Sequence, residues 1–512
     1  MAEQSISELQ AALRAGELSA AQLVTSYLQR IRELDQAGPG LNAVIELNPD
    51  ALAAAQALDA ERQVGRLRGP LHGIPVLLKD NIDTGDRMAT TAGSLALEGS
   101  RAPRDAGLVE RLRAAGAIIL GKTNLSEWAS FRSTHSTSGW SSRGGLTRNP
   151  YALDRNPCGS SSGSAVAVAA DLCAAAVGTE TDGSIICPSS VNGIVGLKPT
   201  LGLISRSGII PIAHSQDTAG PMGRTVRDVA ILLGALAGPD PRDPATRETA
   251  SWAGADYERY LDPDGLRGAR IGVVRGYWGR HPAVDRVMEE ALAALRGLGA
   301  VLIDPVEIAT VKQLGAHEHT VLLHEFRADL NDYLSTRGPG VPVRSLREVI
   351  AFNEQHRART MPYFGQELLL QAESQGPLTT PQYLEALTAA RRLARDEGLD
   401  AALRSHRLDA LVAPSNHPAH LTDLVNGDCG SGGSSSPAAV AGYPSITVPA
   451  GSTNLNIATS GGNSPARMSA SSVPSSEKPS TAWASRSAAA TLAAYPSRAV
   501  RTTVSGSVSP AS

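Results

Sequence analysis

Three short runs of this 512-residue chain carry residue types that can break an amide without a histidine: Lys79 in LLKDNID, Ser160 in PCGSSSGSA and Ser184 in GTETDGSIICP. A serine hydroxyl is a weak nucleophile at its free pKa. Attack on a stable amide therefore needs a base within hydrogen-bond reach and donors for the oxyanion that develops. A lysine amine buried beside hydroxyls gives up its charge more readily than one in water and can then act as that base. A lone lysine in an apolar run is more often a strand-end side chain reaching for solvent. What favours the chemical reading is the pair of Ser/Gly loops one helix apart, because the second, Thr179 to Ser184, can turn backbone N–H groups toward a substrate carbonyl. Asp80 reads as a salt-bridge or turn residue.

Other readings of the same residues are weaker. The run Gly159 to Gly163 fits G-x-S-x-G with Ser161 as nucleophile, but that elbow requires a buried strand just before it, and TRNPYALDRNP is polar and broken by proline. Ser162 or Ser164 could simply cap the following helix. Ser475-x-x-Lys478 lies in a low-complexity segment and is a chance match. The eleven histidines are scattered, and His72 and His214, which lie near the motifs, read as structural.

The elements that must hold these residues follow from the pattern. Capping boxes at Ser5-x-x-Glu8 and Ser19-x-x-Gln22, with Gly16 as a stop between them, predict two short opening helices. GIPVLLKD and GAIILGK, separated by the helix-like LVERLRAAG, predict a strand, helix, strand unit with Lys79 at the C-terminal end of a buried strand. SAVAVAADLCAAAVG predicts a helix between the two Ser/Gly loops. ARIGVVRG, VDRVMEEALAALRGLG and AVLIDPVEI predict a second strand, helix, strand unit, followed by a helical stretch to about 406. LDALVAPSN and SITVPAG predict late strands joined by GDCGSGGSSS.

Composition bounds the rest. With 42% hydrophobic residues, 19% charged and a net charge of −3, the chain fits a globular protein and offers no basic field for nucleic acid. No stretch approaches the roughly 18 apolar residues of a membrane helix, and the start lacks a leader's charged and apolar regions. Cys158, Cys173, Cys187 and Cys429 show neither a C-x-x-C pair nor zinc-ligand spacing, so they read as free thiols in a reducing compartment, the cytoplasm. The last 62 residues hold 16 Ser, one acidic residue (Glu477), two Leu and no Phe. They predict a low-complexity tail, 451–512, that joins no core.

The motifs GIPVLLKDNID, GKTNLSEW, SGWSSRGG, NPCGSSSGSAVAVAA, GTETDGSI, VGLKPT and SQDTAGPM, with AGYPSITVPAG as a weaker continuation, resemble the amidase signature family, and within it the peptide amidase branch. The resemblance implies one large α/β domain over about 1–450, with a mixed β-sheet core surrounded by α-helices. It implies a Ser, cis-Ser, Lys triad of Ser184 (nucleophile), Ser160 (relay, after a cis peptide bond) and Lys79 (base). The oxyanion hole would be the backbone N–H groups of Thr181, Asp182, Gly183 and Ser184. No metal or organic cofactor is required.

Asp182 departs from the family's usual glycine, as does Ser162. The ending departs too: a frameshift near 453 would produce its abrupt loss of pattern. Ile185-Ile186-Cys187 follow the nucleophile where many relatives keep an arginine, so neutral acyl groups are expected, C-terminal peptide amides first. The alternatives are a cyclic or oligomeric amide hydrolase, the glutaminase subunit of a tRNA-dependent amidotransferase, and an inactive amidase-like binding protein. Beyond an amide substrate no nucleic acid or membrane partner is expected, and the chain reads as a monomer or homodimer.

Overall fold

Apolar runs bounded by glycine and proline become the inner strands of one large sheet. In a computed structural model, residues 3–252, 254–338, 340–429 and 433–451 are described, together with the backbone of 488–494. The sheet strands are β1 (Val44–Leu47), β2 (Pro75–Lys79), β3 (Ile118–Thr123), β4 (Ala175–Glu180), β5 (Val195–Lys198), β6 (Thr218–Gly223), β7 (Arg270–Val273), β8 (Val301–Ile303), β9 (Ala410–Pro414), β10 (Ser445–Gly451) and β11 (Ala488–Ala494). They lie in the order β1-β3-β2-β4-β6-β5-β10-β11-β9-β7-β8. β2 runs parallel to β3 and β4, and β7 runs parallel to β8 and β9. The pairings of β6 with β4 and β5 are antiparallel, so the sheet is mixed, as expected. Every residue of β2, β3 and β4 is buried, which explains why these strands read as continuous apolar runs rather than as alternations.

Both opening helices, α1 (Ile6–Ala15) and α2 (Ala20–Arg30), carry complete capping boxes, and Gly16 closes α1 at φ 73°. Farther on lie α3 (Ala51–Gln63), α4 (Gly107–Ala114), α5 (Ser162–Ala169), α6 (Ile186–Val191), α7 (Val226–Leu236), α8 (Pro282–Gly297) and α9 (Leu314–Ser335). The second strand, helix, strand unit is β7, α8 and β8, in parallel register from Arg270 opposite Val301.

Two expectations are corrected. The Ala/Val run after the first serine loop is not one helix: α5 stops at Ala169, Asp171 turns the chain at φ 55°, and Ala175–Glu180 is the central strand β4. Small apolar residues buried on every side suit either element, so periodicity does not separate them. The composition of the tail predicts that it joins no core, yet the backbone of 488–494 forms β11 between β9 and β10, antiparallel to both. The neighbouring strands present N–H and C=O groups to the gap between them, and the backbone of 488–494 supplies their partners. The remainder of the expected tail, including Ser475 and Lys478, lies outside the described residues.

Candidate active site

Lys79 ends β2 fully buried, and its amine meets three oxygens: Ser160 Oγ at 2.7 Å, Thr179 Oγ1 at 2.8 Å and Thr179 O at 3.1 Å. Burial pushes this amine from an ordinary 10.5 down to about 7, against the smaller opposing pull of the Asp217 and Glu180 charges. Asn81 Nδ2 donates to Thr179 Oγ1 at 3.0 Å and steadies the hydroxyl that receives Lys79. Asp80 does the structural work expected of it, accepting from Thr91 and from Arg143 Nη1 at 3.4 Å.

Ser160 follows a cis peptide bond from Gly159, as the family resemblance implied. Gly159 leaves no room for a side chain, since a Cβ there would collide with Ser126 Oγ. The neighbouring hydroxyls are spent on structure: Ser161 Oγ donates to Thr179 O at 3.0 Å, and Ser162 Oγ donates to Cys158 O at 2.6 Å. The N-cap of α5 is Ser161 rather than Ser162 or Ser164, and its side chain makes no capping bond.

Ser184 lies between β4 and α6, and the two serine loops are tied by Ser161 N donating to Ser184 O at 3.1 Å. Its own hydroxyl makes no hydrogen bond to another described residue, and in this arrangement none joins it directly to Ser160 Oγ. Within the loop, Gly183 adopts φ 78°. Glu180 accepts from Ile185 N at 2.7 Å and Ile186 N at 2.9 Å, while the N–H groups of Thr181, Asp182, Gly183 and Ser184 have no acceptor among the described residues. Four successive donors without an acceptor among the described residues, beside a serine hydroxyl, are able to receive a developing oxyanion.

Several residues around this loop escaped the sequence reading. Thr181 Oγ1 donates to Asp217 at 2.5 Å, and Gln216 Nε2 donates to Thr181 O at 3.3 Å and to Glu318 Oε1 at 2.9 Å. Asp182 accepts from Ser435 Oγ and Ser436 Oγ, each at 2.5 Å. Asn81, Thr179, Gln216 and Asp217 sit inside the quoted motifs and could have been found there. Glu318, on α9, has no local signal at all.

The cysteine reading is corrected for one pair: Cys158 and Cys187 form a disulfide with a Cα–Cα distance of 5.9 Å, while Cys173 and Cys429 are free. Their separation of 29 positions matches no known spacing. The fold nevertheless lays the Ser160 loop against the start of α6, and the inference from free thiols to a reducing compartment loses its premise for this pair. His72 is structural, its Nε2 lying 2.9 Å from Leu58 O. His214, Glu325 and Asp329 bring ligand-type atoms within 4.8 Å of one another. They are already bonded internally, with Asp329 2.8 Å from His214 Nδ1 and Glu325 accepting from Ser215 N and Tyr383. Among the described residues, no helix is long and apolar enough to cross a membrane.

An unbonded serine hydroxyl beside unspent donors, on a loop tied through the backbone to the serine loop that meets a buried lysine, is an arrangement suited to amide chemistry. The chain belongs to the amidase family, whose model matches residues 22–466, and it is a hydrolase acting on amides. It is 42% identical to a probable amidase of Arabidopsis thaliana over 457 residues, 88% of this chain and 84% of that protein. Native peptide amidase from Stenotrophomonas maltophilia superposes with a TM-score of 0.86 at 51% identity, covering 96% of this chain and 93% of the other, which supports the peptide amidase branch. A glutamyl-tRNA(Gln) amidotransferase component of Chloroflexus aurantiacus is 45% identical over 303 residues, 59% of this chain and 60% of that protein.

Proposed function

We propose that the chain hydrolyses linear neutral carboxamides, with C-terminal peptide amides as the preferred class, through an acyl-enzyme on Ser184. The observation that carries this reading is the buried Lys79 amine 2.7 Å from Ser160 Oγ. A neutral lysine has two N–H bonds and one lone pair. Thr179 supplies two acceptors, its carbonyl and its hydroxyl, so the lone pair is left for the Ser160 proton.

As Ser160 gives that proton to Lys79 it takes one from Ser184, whose oxygen forms the new bond to the amide carbon. The N–H groups of Thr181 to Ser184 receive the oxyanion. Collapse breaks the C–N bond, and the proton held by Lys79 returns through Ser160 to the departing ammonia or amine. Water then repeats the path, releasing the acid and regenerating Ser184.

Two observations support the substrate class. Ile185 and Ile186, directly after the nucleophile, are buried apolar residues that offer no cation to a substrate carboxylate, and the closely superposing neighbour is a peptide amidase. The similarity to the amidotransferase component favours a second reading, a glutaminase, over that shared stretch only. The working unit in our proposal is a monomer or homodimer in the cytoplasm, where the Cys158–Cys187 bond would have to survive a reducing pool.

Ammonia release by the purified chain from N-acylated peptide amides, and from glutamine with and without an added amidotransferase partner, separates the two readings. Ser184→Ala should abolish release while leaving the fold intact. Undiminished activity in that variant would overturn the nucleophile assignment.

A further inference from the structure

Asp182 stands two residues before Ser184, and its side chain faces two other elements. Its carboxylate accepts from Ser435 and Ser436, at the start of the helix Ser436–Ala441. Glu318 of α9 lines the same cavity as Ser436 and lies within electrostatic reach of that carboxylate. Glu318 is buried and accepts from Gln216, whose amide also reaches Thr181 O. The residues on either side of the donor loop's first turn are thus anchored from outside. Gly183 has no side chain to anchor, and a Cβ at its φ of 78° would meet Ser435 Oγ at 2.9 Å.

We propose that Glu318 and the Asp182 carboxylate are positioning residues: together they hold loop 181–184 in the shape that aims its N–H groups at the substrate oxygen. Glu318 acts as the neutral acid, its O–H donating to Asp182. The inference rests on the reading of this loop as the oxyanion hole. Two buried carboxyl groups set this close are stable only with a proton between them, since two carboxylates would repel. Burial first, and the Asp182 charge second, push Glu318 up to about 8, so it keeps that proton at neutral pH. As the pH rises past this value, the proton is lost, the tie becomes a repulsion and the loop is released.

Other charged groups surround the pair. Lys198, lowered to about 8 by burial, feels Asp182 and Glu180, and Asp217, raised to about 6 by burial, lies behind Thr181. Arg280, Lys312 and Glu307 line a cavity of about 600 Å³ together with Glu318 and Ser436. Lys198 ionises in the same range as Glu318, so an alkaline limb in the wild-type pH profile is assigned by variants and not by its position.

Glu318→Gln keeps an acceptor for Gln216 and offers Asp182 an N–H in place of the O–H. Its kcat should stay within about threefold of wild type at neutral pH, and the alkaline limb should disappear. Glu318→Ala, and the double variant Ser435→Ala/Ser436→Ala, should lose about ten- to a hundredfold in kcat with KM within about threefold, as expected when oxyanion donors are misplaced. Hydrogen exchange at the amides of 181–184, read without substrate, should accelerate in Glu318→Ala and not in Glu318→Gln. Equal kcat losses in the Gln and Ala variants, an alkaline limb unchanged in Glu318→Gln, or unaltered exchange in Glu318→Ala would each overturn the proposal. A wild-type chain inactive on every carboxamide would defeat the proposed function, and the exchange comparison would still decide this inference.

Discussion

Replacing Lys79 with methionine tests the neutral-base reading through both stability and rate. The amine falls from 10.5 in the unfolded chain to about 7 in the fold. At about 1.36 kcal/mol per pH unit, that gap is a burden of roughly 5 kcal/mol on the folded state, carried in full below pH 7. The sign follows from proton counting: between the two values the unfolded chain binds the extra proton, so the wild type gains stability as pH rises from 7 to 10.5. Lys79→Met has no such proton. The stability difference between wild type and variant should therefore shift in favour of the wild type by about 4 kcal/mol between pH 7 and pH 10. Paired calorimetric or denaturant unfolding across that range reads the slope directly. Turnover should fall in the variant by about a hundredfold or more, and the acidic limb of the wild-type rate profile should lie near the Lys79 value. A stability difference flat from pH 7 to 10 would mean that Lys79 stays charged in the fold and is not the base.

Two further outcomes follow from the covalent and strand connections. Non-reducing peptide mapping of the protein should recover Cys158 and Cys187 in one linked species, with Cys429 alkylated and Cys173 alkylated only after unfolding, because Cys173 is buried. Free Cys158 and Cys187 in the native protein would refute the pairing. Truncation after Gly451 removes β11 and leaves the facing edges of β9 and β10 unpaired, so the shortened chain should unfold at lower temperature and aggregate more readily. Unchanged stability on truncation would show that 488–494 contributes nothing to the sheet.

The candidate site was legible where its residues are also local structural signals. LLKDN is a buried strand followed by a polar turn, and each Ser/Gly loop announces itself by composition, so Lys79, Ser160 and Ser184 could be named before the fold was known. What escaped notice depends on contacts far apart in the chain. Glu318 is one acid in a charged helix until α9 brings it to Asp182, 136 residues away by number. Ser435 and Ser436 looked like filler in a Gly/Ser linker and prove to be partners of that same aspartate. The Ala/Val run deceived because a fully buried segment has no polar face to reveal its period. Cys158 and Cys187 deceived because adjacency of loops, not spacing, brings them together.

Trapping the acyl-enzyme tests the central claim most directly. A rapidly quenched reaction with an N-acylated peptide amide or the corresponding ester, digested and sequenced by mass spectrometry, should place the acyl group on Ser184. It should be absent from Ser184→Ala, and Lys79→Met should accumulate it far more slowly. An acyl group on Ser160, or turnover of the amide with no covalent adduct on any serine, would contradict the account.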